Sequence, residues 1–338
     1  MEQDAGPAVD RNFTLDKTLT VPAHISSLAF GHAGHVFAGC DDGSLRVYDL
    51  SSYKVLKAVR GLGGEVSSIV CMKRPGSELR DAWVAHGQHI SKFKFDPDPM
   101  IQTLESALVS VKVGESDADV LNEVCGSVKF VPGRPRELIS GGYDNILLHF
   151  DFVQGKVLSR RQIDTFALEG EISLSPPFVM SMAMSDTGVL AAGIADGRLW
   201  IGFGGEKVVL PGSKSSKKKV KMWEGLDEDQ ILLIKVAEGP IVAMAFSEHR
   251  KLTISTLMGV ITQYRLIYDE VLGSVVLQQL WQKASPGIEK VNALIADEKR
   301  IIVGGFSAKG RGVIEVWKET PQPAQDQEGK SLAPTSTS

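Results

Sequence analysis

Asp42-Gly43-Ser44-Leu45-Arg46-Val47-Tyr48 is a tight turn followed by a short alternating strand that ends on an aromatic ring. The same phrase returns as Arg311-Gly312-Val313-Ile314-Glu315-Val316-Trp317. Looser copies are Asp144-Asn145-Ile146-Leu147-Leu148-His149-Phe150, Met258-Gly259-Val260-Ile261-Thr262-Gln263-Tyr264 and, with its aromatic displaced, Asp196-Gly197-Arg198-Leu199-Trp200. Recurrence roughly every 45 to 60 residues, in units made of short strands, is the pattern of an all-β propeller.

Working outward, each unit opens on another alternating strand. The openings are His24–Phe30, Val66–Cys71, Val124–Phe130, Val179–Met184, Ile241–Phe246 and Val291–Ile295, which gives six recognisable blades. Period-two alternation between Gly, Asp and Ser turns favours strand over helix. The second strand of a unit is rich in small residues, as in Val36-Phe37-Ala38-Gly39-Cys40, which suits the crowded inner part of a blade. Phe13 to Val21 precedes the first full unit as an orphan strand, while the last unit lacks an outer strand after Trp317. Pairing the two predicts a closed ring without a long free edge. The expected organisation is a flexible 1–12, a propeller over 13–318 with a Lys-rich insert at 207–229 outside the ring, and a disordered tail over 319–338.

The chain has 338 residues, 43% of them hydrophobic, and a net charge of −4, which fits a globular protein and argues against a duplex-coating nucleic-acid binder. Neither a leader-like N-terminus nor an apolar run near 20 residues is evident, so a soluble chain in the cytoplasm or nucleus is expected. Cys40, Cys71 and Cys125 are an odd, scattered set, read as buried reduced thiols.

The resemblance is to WD-repeat proteins. It is carried by Gly126-Ser127-Val128-Lys129-Phe130-Val131-Pro132-Gly133-Arg134-Pro135 with Glu137-Leu138-Ile139-Ser140-Gly141-Gly142-Tyr143-Asp144, by Val84-Ala85-His86-Gly87, and by Ala191 to Leu199. The Trp-Asp ending survives as Tyr48-Asp49 and Phe150-Asp151, and Asp42, Asp144 and Asp196 are the turn aspartates. The resemblance implies a non-enzymatic scaffold that binds protein partners through its top face and channel loops, working as a monomer within a complex. A finer implication is a substrate receptor on the damage-specific DNA-binding protein 1 adaptor of a cullin-4 ubiquitin ligase, with Tyr48, Asp49, Phe150 and Asp151 as protein-binding residues. Receptors of that kind carry Trp-Asp-x-Arg, and here Ser51 and Val153 stand where the arginine would be. It also implies seven blades. Asp119 to Glu123 looks like an inner-strand opening followed at once by another at Val124, so either a blade of about 40 residues is missing at Glu123–Val124 or the ring is a divergent six-bladed one.

Other motifs are weaker. Lys214, Lys217, Lys218, Lys219 and Lys221 read as a nuclear import signal, with a solvated loop and a nucleic-acid patch as alternatives; the acidic Glu224 to Asp229 disfavours the last. His86 and His89, three apart on a strand, are expected on opposite faces and so unable to chelate one metal. Glu115, Asp117 and Asp119 begin a calcium-loop pattern but lack its Gly and closing Glu. Gly202 to Lys207 lacks the spacing of a phosphate loop. No catalytic residue, metal or cofactor is assigned.

Overall fold

The computed structural model describes residues 12–320 apart from 33, 73–80, 96–98, 113–124, 164–175, 204–222, 228–230, 249 and 270–273. The elements in chain order begin with β1 (Asn12–Val21), β2 (Ile25–Phe30), β3 (His35–Cys40), β4 (Leu45–Asp49) and β5 (Val55–Arg60). They continue with β6 (Val66–Met72), β7 (Asp81–His86), β8 (His89–Phe93), β9 (Ile101–Thr103) and β10 (Val109–Lys112). Next come β11 (Cys125–Phe130), β12 (Glu137–Gly142), β13 (Ile146–Asp151), β14 (Lys156–Gln162), β15 (Val179–Met184), β16 (Leu190–Ile194), β17 (Arg198–Gly202) and β18 (Ile231–Lys235). The last are β19 (Ile241–Glu248), β20 (Lys251–Thr256), β21 (Val260–Asp269), β22 (Ser274–Ala284), β23 (Lys290–Ala296), β24 (Arg300–Phe306) and β25 (Gly312–Thr320). The described residues form six antiparallel sheets, the blades. Blade 1 is β2-β3-β4-β5, with β9 added in parallel along β5; blade 2 is β6-β7-β8-β10. Blades 3, 4 and 5 follow as β11 to β14, β15 to β18 and β19 to β22.

Blade 6 is built from both chain ends, in the order β1-β25-β24-β23. β1 runs antiparallel to β25 from Asn12↔Thr320 to Val21↔Gly312, and Phe13 is buried against the edge of Trp281. β25 therefore extends to Thr320, two residues into the segment expected as tail. A second departure concerns Trp223 and Leu226. Both fall in the segment expected outside the ring, yet both are buried among blades 3 and 4, and Trp223 Nε1 donates to Gly188 O at 3.0 Å. An indole amid polar neighbours is invisible to hydropathy averaging, although one tryptophan buries as much apolar surface as several smaller residues.

Neighbouring blades lock at their inner strands by one repeated device. The first residue of an inner strand is branched and buried, and it presses on the preceding blade where that blade's second strand has glycine. A Cβ at Gly39 would stand 2.4 Å from Val66, at Gly141 2.8 Å from Val179, at Gly193 2.7 Å from Ile241 and at Gly304 2.5 Å from Ile25. No real Cβ tolerates such approaches, so packing this close requires glycine. Polar side chains at the inner-strand bulges add cross-blade hydrogen bonds: Ser27 Oγ to Val66 O at 2.6 Å, Ser181 Oγ to Ile241 O at 2.8 Å and Asn292 Nδ2 to Ile25 O at 2.8 Å.

The inner strands of blades 1 and 2, 3 and 4, 4 and 5, 5 and 6, and 6 and 1 pack against each other, with Ser255 in place of the glycine at the seam of blades 5 and 6; β6 and β11 do not pack comparably. Asp119 to Val124, where two strand openings stand back to back in the sequence, lie outside the described residues.

Because β1 supplies the outer strand of blade 6, deleting residues 1–21 should lower the melting temperature of the whole domain in a single transition. An unchanged thermal midpoint would show that this strand does not hold the ring shut.

Candidate protein-interaction site

Asp49 and Asp151 end β4 and β13, the third strands of blades 1 and 3, so blade 2 separates them. Asp49 accepts hydrogen bonds from Ser51 N and Ser52 N, both at 3.1 Å, and from the Ser51 and Ser52 hydroxyls, both at 2.6 Å. The hydroxyls of Ser51 and Ser52, then the backbone donors, hold this carboxyl far below the usual carboxylate range. Asp151 accepts from Val153 N and Gln154 N, both at 2.9 Å, and is nearly buried. Both aspartates thus satisfy their own turns, the usual reason Asp stands at such a position. Tyr48 is buried in the core, and burial pushes its phenol upward. Phe150 is half-buried. The turn aspartates Asp42, Asp144 and Asp196 likewise accept from the backbone N–H two residues on, at 2.9, 3.2 and 3.0 Å.

The surface beside Asp151 was not singled out by sequence. Phe152 follows it in the β13–β14 turn and meets Phe130, at the end of β11, edge to face with ring centroids 6.0 Å apart. The two rings are 46% and 61% exposed, and neighbouring Val153 is exposed as well. Two exposed aromatics and a valine at one blade end form an apolar patch of the kind that marks a contact surface. The available signal was Phe-Val after Phe-Asp, apolar residues where a turn normally carries polar ones.

His149 lies on the opposite face of blade 3 with its imidazole fully buried. Its Nε2 meets Glu137 Oε2 at 2.9 Å, Ser159 Oγ approaches Nδ1 at 3.4 Å, and Trp223 packs edge-on at 5.1 Å. Ser, His and Glu stand in the order of a hydrolase relay. The imidazole, however, is enclosed between blades rather than facing a cleft. The described clefts, of about 500 and 410 Å³, are lined by other residues such as Asp186, Glu248 and Glu298, or Thr256 and Gln282. Burial, against the opposing pull of Glu137, moves this imidazole's proton affinity down.

His86 and His89 correct an expectation. The β7–β8 hairpin turns between them, so they are a facing cross-strand pair on one side, with rings stacked at 5.8 Å. His86 spends both nitrogens on Leu62 O at 2.7 Å and Ser91 Oγ at 2.8 Å. Among the described residues no group of three or more His, Cys, Asp or Glu is placed to hold a metal ion, and no helix is long and apolar enough to cross a membrane. Cys40 is buried and Cys71 half-buried, neither of them in a disulfide. Lys214, Lys217, Lys218, Lys219 and Lys221, like the Glu115–Asp119 turn, lie outside the described residues.

Residues 15–49 match the family model described as WD domain, G-beta repeat. The chain is a six-bladed β-propeller with a WD40 repeat. The matched stretch spans β1 to β4, so the sequence repeat is offset by one strand from the blade. Among solved structures, the β-propeller domain of Cps50 (Swd1) from Myceliophteria thermophila is similar with a TM-score of 0.56 and 13% identity, covering 91% of this chain and 100% of that one. Raptor from Chaetomium thermophilum is similar with a TM-score of 0.61 and 7% identity over 93% of this chain; the propeller spans 29% of the Raptor chain. At such identities the likeness is one of fold. No curated protein matches the chain by sequence.

Asp151→Ala removes the acceptor for two backbone donors and should cost about 1–2 kcal/mol, read from the denaturant midpoint. Folded His149 and His86 both bind protons less readily than in the unfolded chain, chiefly through burial. Their stabilising contribution is therefore complete above about pH 6.5 and lost as pH falls below it. Chemical denaturation between pH 8 and 5 should show that decline, and His149→Gln should lessen it.

Proposed function

We propose that this propeller is a non-enzymatic protein-interaction scaffold of the cytoplasm or nucleus, and that partners dock on the Phe130–Phe152–Val153 patch of blade 3. The carrying observation is that pair of exposed aromatic rings at the end of a rigid sheet, beside a turn already stapled by Asp151. A preordered surface of this kind spends little entropy on binding. WD40 propellers are typically interaction scaffolds, which supports the reading.

The finer reading is kinship with WD repeat-containing protein 53 and service as a substrate receptor for the damage-specific DNA-binding protein 1 adaptor of a cullin-4 ligase. With Ser51 and Val153 at the arginine positions, and the carboxylates of Asp49 and Asp151 engaged by their turns, such docking would rely on apolar contacts of Phe152 and Val153 rather than a guanidinium.

Purification of the tagged chain from native extract, beside Phe152→Asp/Val153→Asp, tests both levels. Recovery of the adaptor with cullin-4, lost in the double variant at unchanged thermal midpoint, supports the ligase reading. A different stable partner set with the same loss keeps the scaffold and discards the ligase. Partners indifferent to the substitution overturn the patch as docking surface.

A further inference from the structure

Blades 2 and 3 each turn one apolar face toward the seam between them, and among the described residues nothing fills that seam. In blade 2, Ile69, Val84 and Phe93 pack with Phe37, Leu45 and Val47 of blade 1. The alternate residues of the same strands therefore face away from blade 1. Val70, Trp83, Lys92 and Val109 lie in one cross-strand row of that face, and Ser68, Ala85, Ile90 and Val111 in the next. In blade 3, Ile139 and Leu147 pack with Val179, Met182 and Leu190 of blade 4. The face turned the other way carries the rows Phe130-Leu138-Phe150-Val157 and Val128-Ser140-Leu148-Arg160.

Equivalent positions elsewhere in the ring show how unusual this is. Leu28, Ile69, Met182, Met244 and Leu294, each at the same place on its inner strand, are 2–9% exposed, whereas Val128 is 47% exposed. Val70, Val109, Val111 and Val157 are exposed too. The serine of the interblade fitting is likewise present on blade 2 and unused, with Ala85 in place of the seat glycine. Ala85 pairs with Ser68 as Gly39 pairs with Ser27 and Gly193 with Ser181. The hydroxyls of Ser27 and Ser181 donate to the first inner-strand carbonyl of the next blade, while Ser68 is exposed.

From these walls we infer that the seam is a docking slot for a β-sheet supplied by a partner protein, which completes the ring as an inserted blade. The occupant's chemistry follows from the walls. It is an antiparallel sheet of three or four strands, apolar on both faces, because both walls are apolar. Its inner strand begins with a residue that seats beside Ala85 and offers a backbone carbonyl to the Ser68 hydroxyl. Four strands of about five residues give each wall about 300 Å². Both contacts together then bury about 1,200 Å², the lower end of a specific stable interface. Two such apolar walls are more than a soluble monomer ordinarily leaves open. This inference is independent of the ligase reading and shares only Phe130 with the patch proposed above.

The test has two parts on the full chain. Val128→Lys should leave the thermal midpoint within about 2 °C, since the side chain reaches water, while Met182→Lys at the equivalent filled seam should lower it by more than about 10 °C. Equal losses would mean that the seam shuts on itself, and would overturn the slot. Photo-crosslinking residues are then placed at Val109 and Val157, one on each wall, in native extract. The inference expects one and the same protein captured from both walls through a β-sheet segment. It also expects that capture to vanish in a chain whose slot is filled in cis by a second copy of its own residues 241–284 inserted between Glu123 and Val124. Crosslinks between two copies of the chain, capture of helical or non-sheet segments, or capture undiminished by the cis blade would each overturn it. Phe152→Asp/Val153→Asp should not affect this capture, which separates failure of the slot from failure of the patch.

Discussion

A branched side chain pressed into a backbone position that cannot hold a Cβ sets the spacing at four seams of the ring. Ile25, Val66, Val179 and Ile241 are completely buried against Gly304, Gly39, Gly141 and Gly193 of the blades before them. The twist of each sheet supplies the propeller angle, but the contact distance comes from the glycine. A blade held this close can share hydrogen bonds with its neighbour, and the Ser27 and Ser181 hydroxyls do so at 2.6 and 2.8 Å. Stability in such a ring is a sum of blade and seam contributions, so one vacant seam weakens two blades at once.

That constraint also governs where function can reside. The glycine–valine seats, the caps at Asp42, Asp144 and Asp196, and the enclosed His149–Glu137 pair are all consumed in holding strands together. Asp49 and Asp151, which resemble the ends of receptor motifs, are consumed likewise. What remains for other molecules is apolar surface that the ring does not cover, and it gathers on blades 2 and 3.

Strand identity was legible because period-two alternation and Gly-Asp turns are local signals, from Ile25-Ser26-Ser27-Leu28 to Asp42-Gly43-Ser44. The glycine of the second strand was legible as crowding, though its partner across the seam was not, because that partner belongs to the next repeat. His86 and His89 misled because a two-residue turn placed between them converts opposite faces into one. Trp223 and Leu226 were hidden by a polar setting that says nothing of where one large ring can anchor. Phe130 stands in a repeat motif and Phe152 in none, and their meeting depends on the register of three strands. Exposure is a property of what is absent opposite a residue, and no local pattern records it.

The clasp between β1 and β25 has a consequence for how the protein is made. Thr14 and Thr320 share a hydrogen bond across a separation of 306 residues. During synthesis β1 emerges before the other strands and waits, its edge unpaired, until β25 has left the ribosome. Blades 1 to 5 can form in order meanwhile, since each pairs with strands nearby in the chain, but the sixth cannot. The nascent ring is therefore longest exposed at the strand that seals it, which makes the interval before Gly312–Thr320 emerges the one in which a holding chaperone has most to protect.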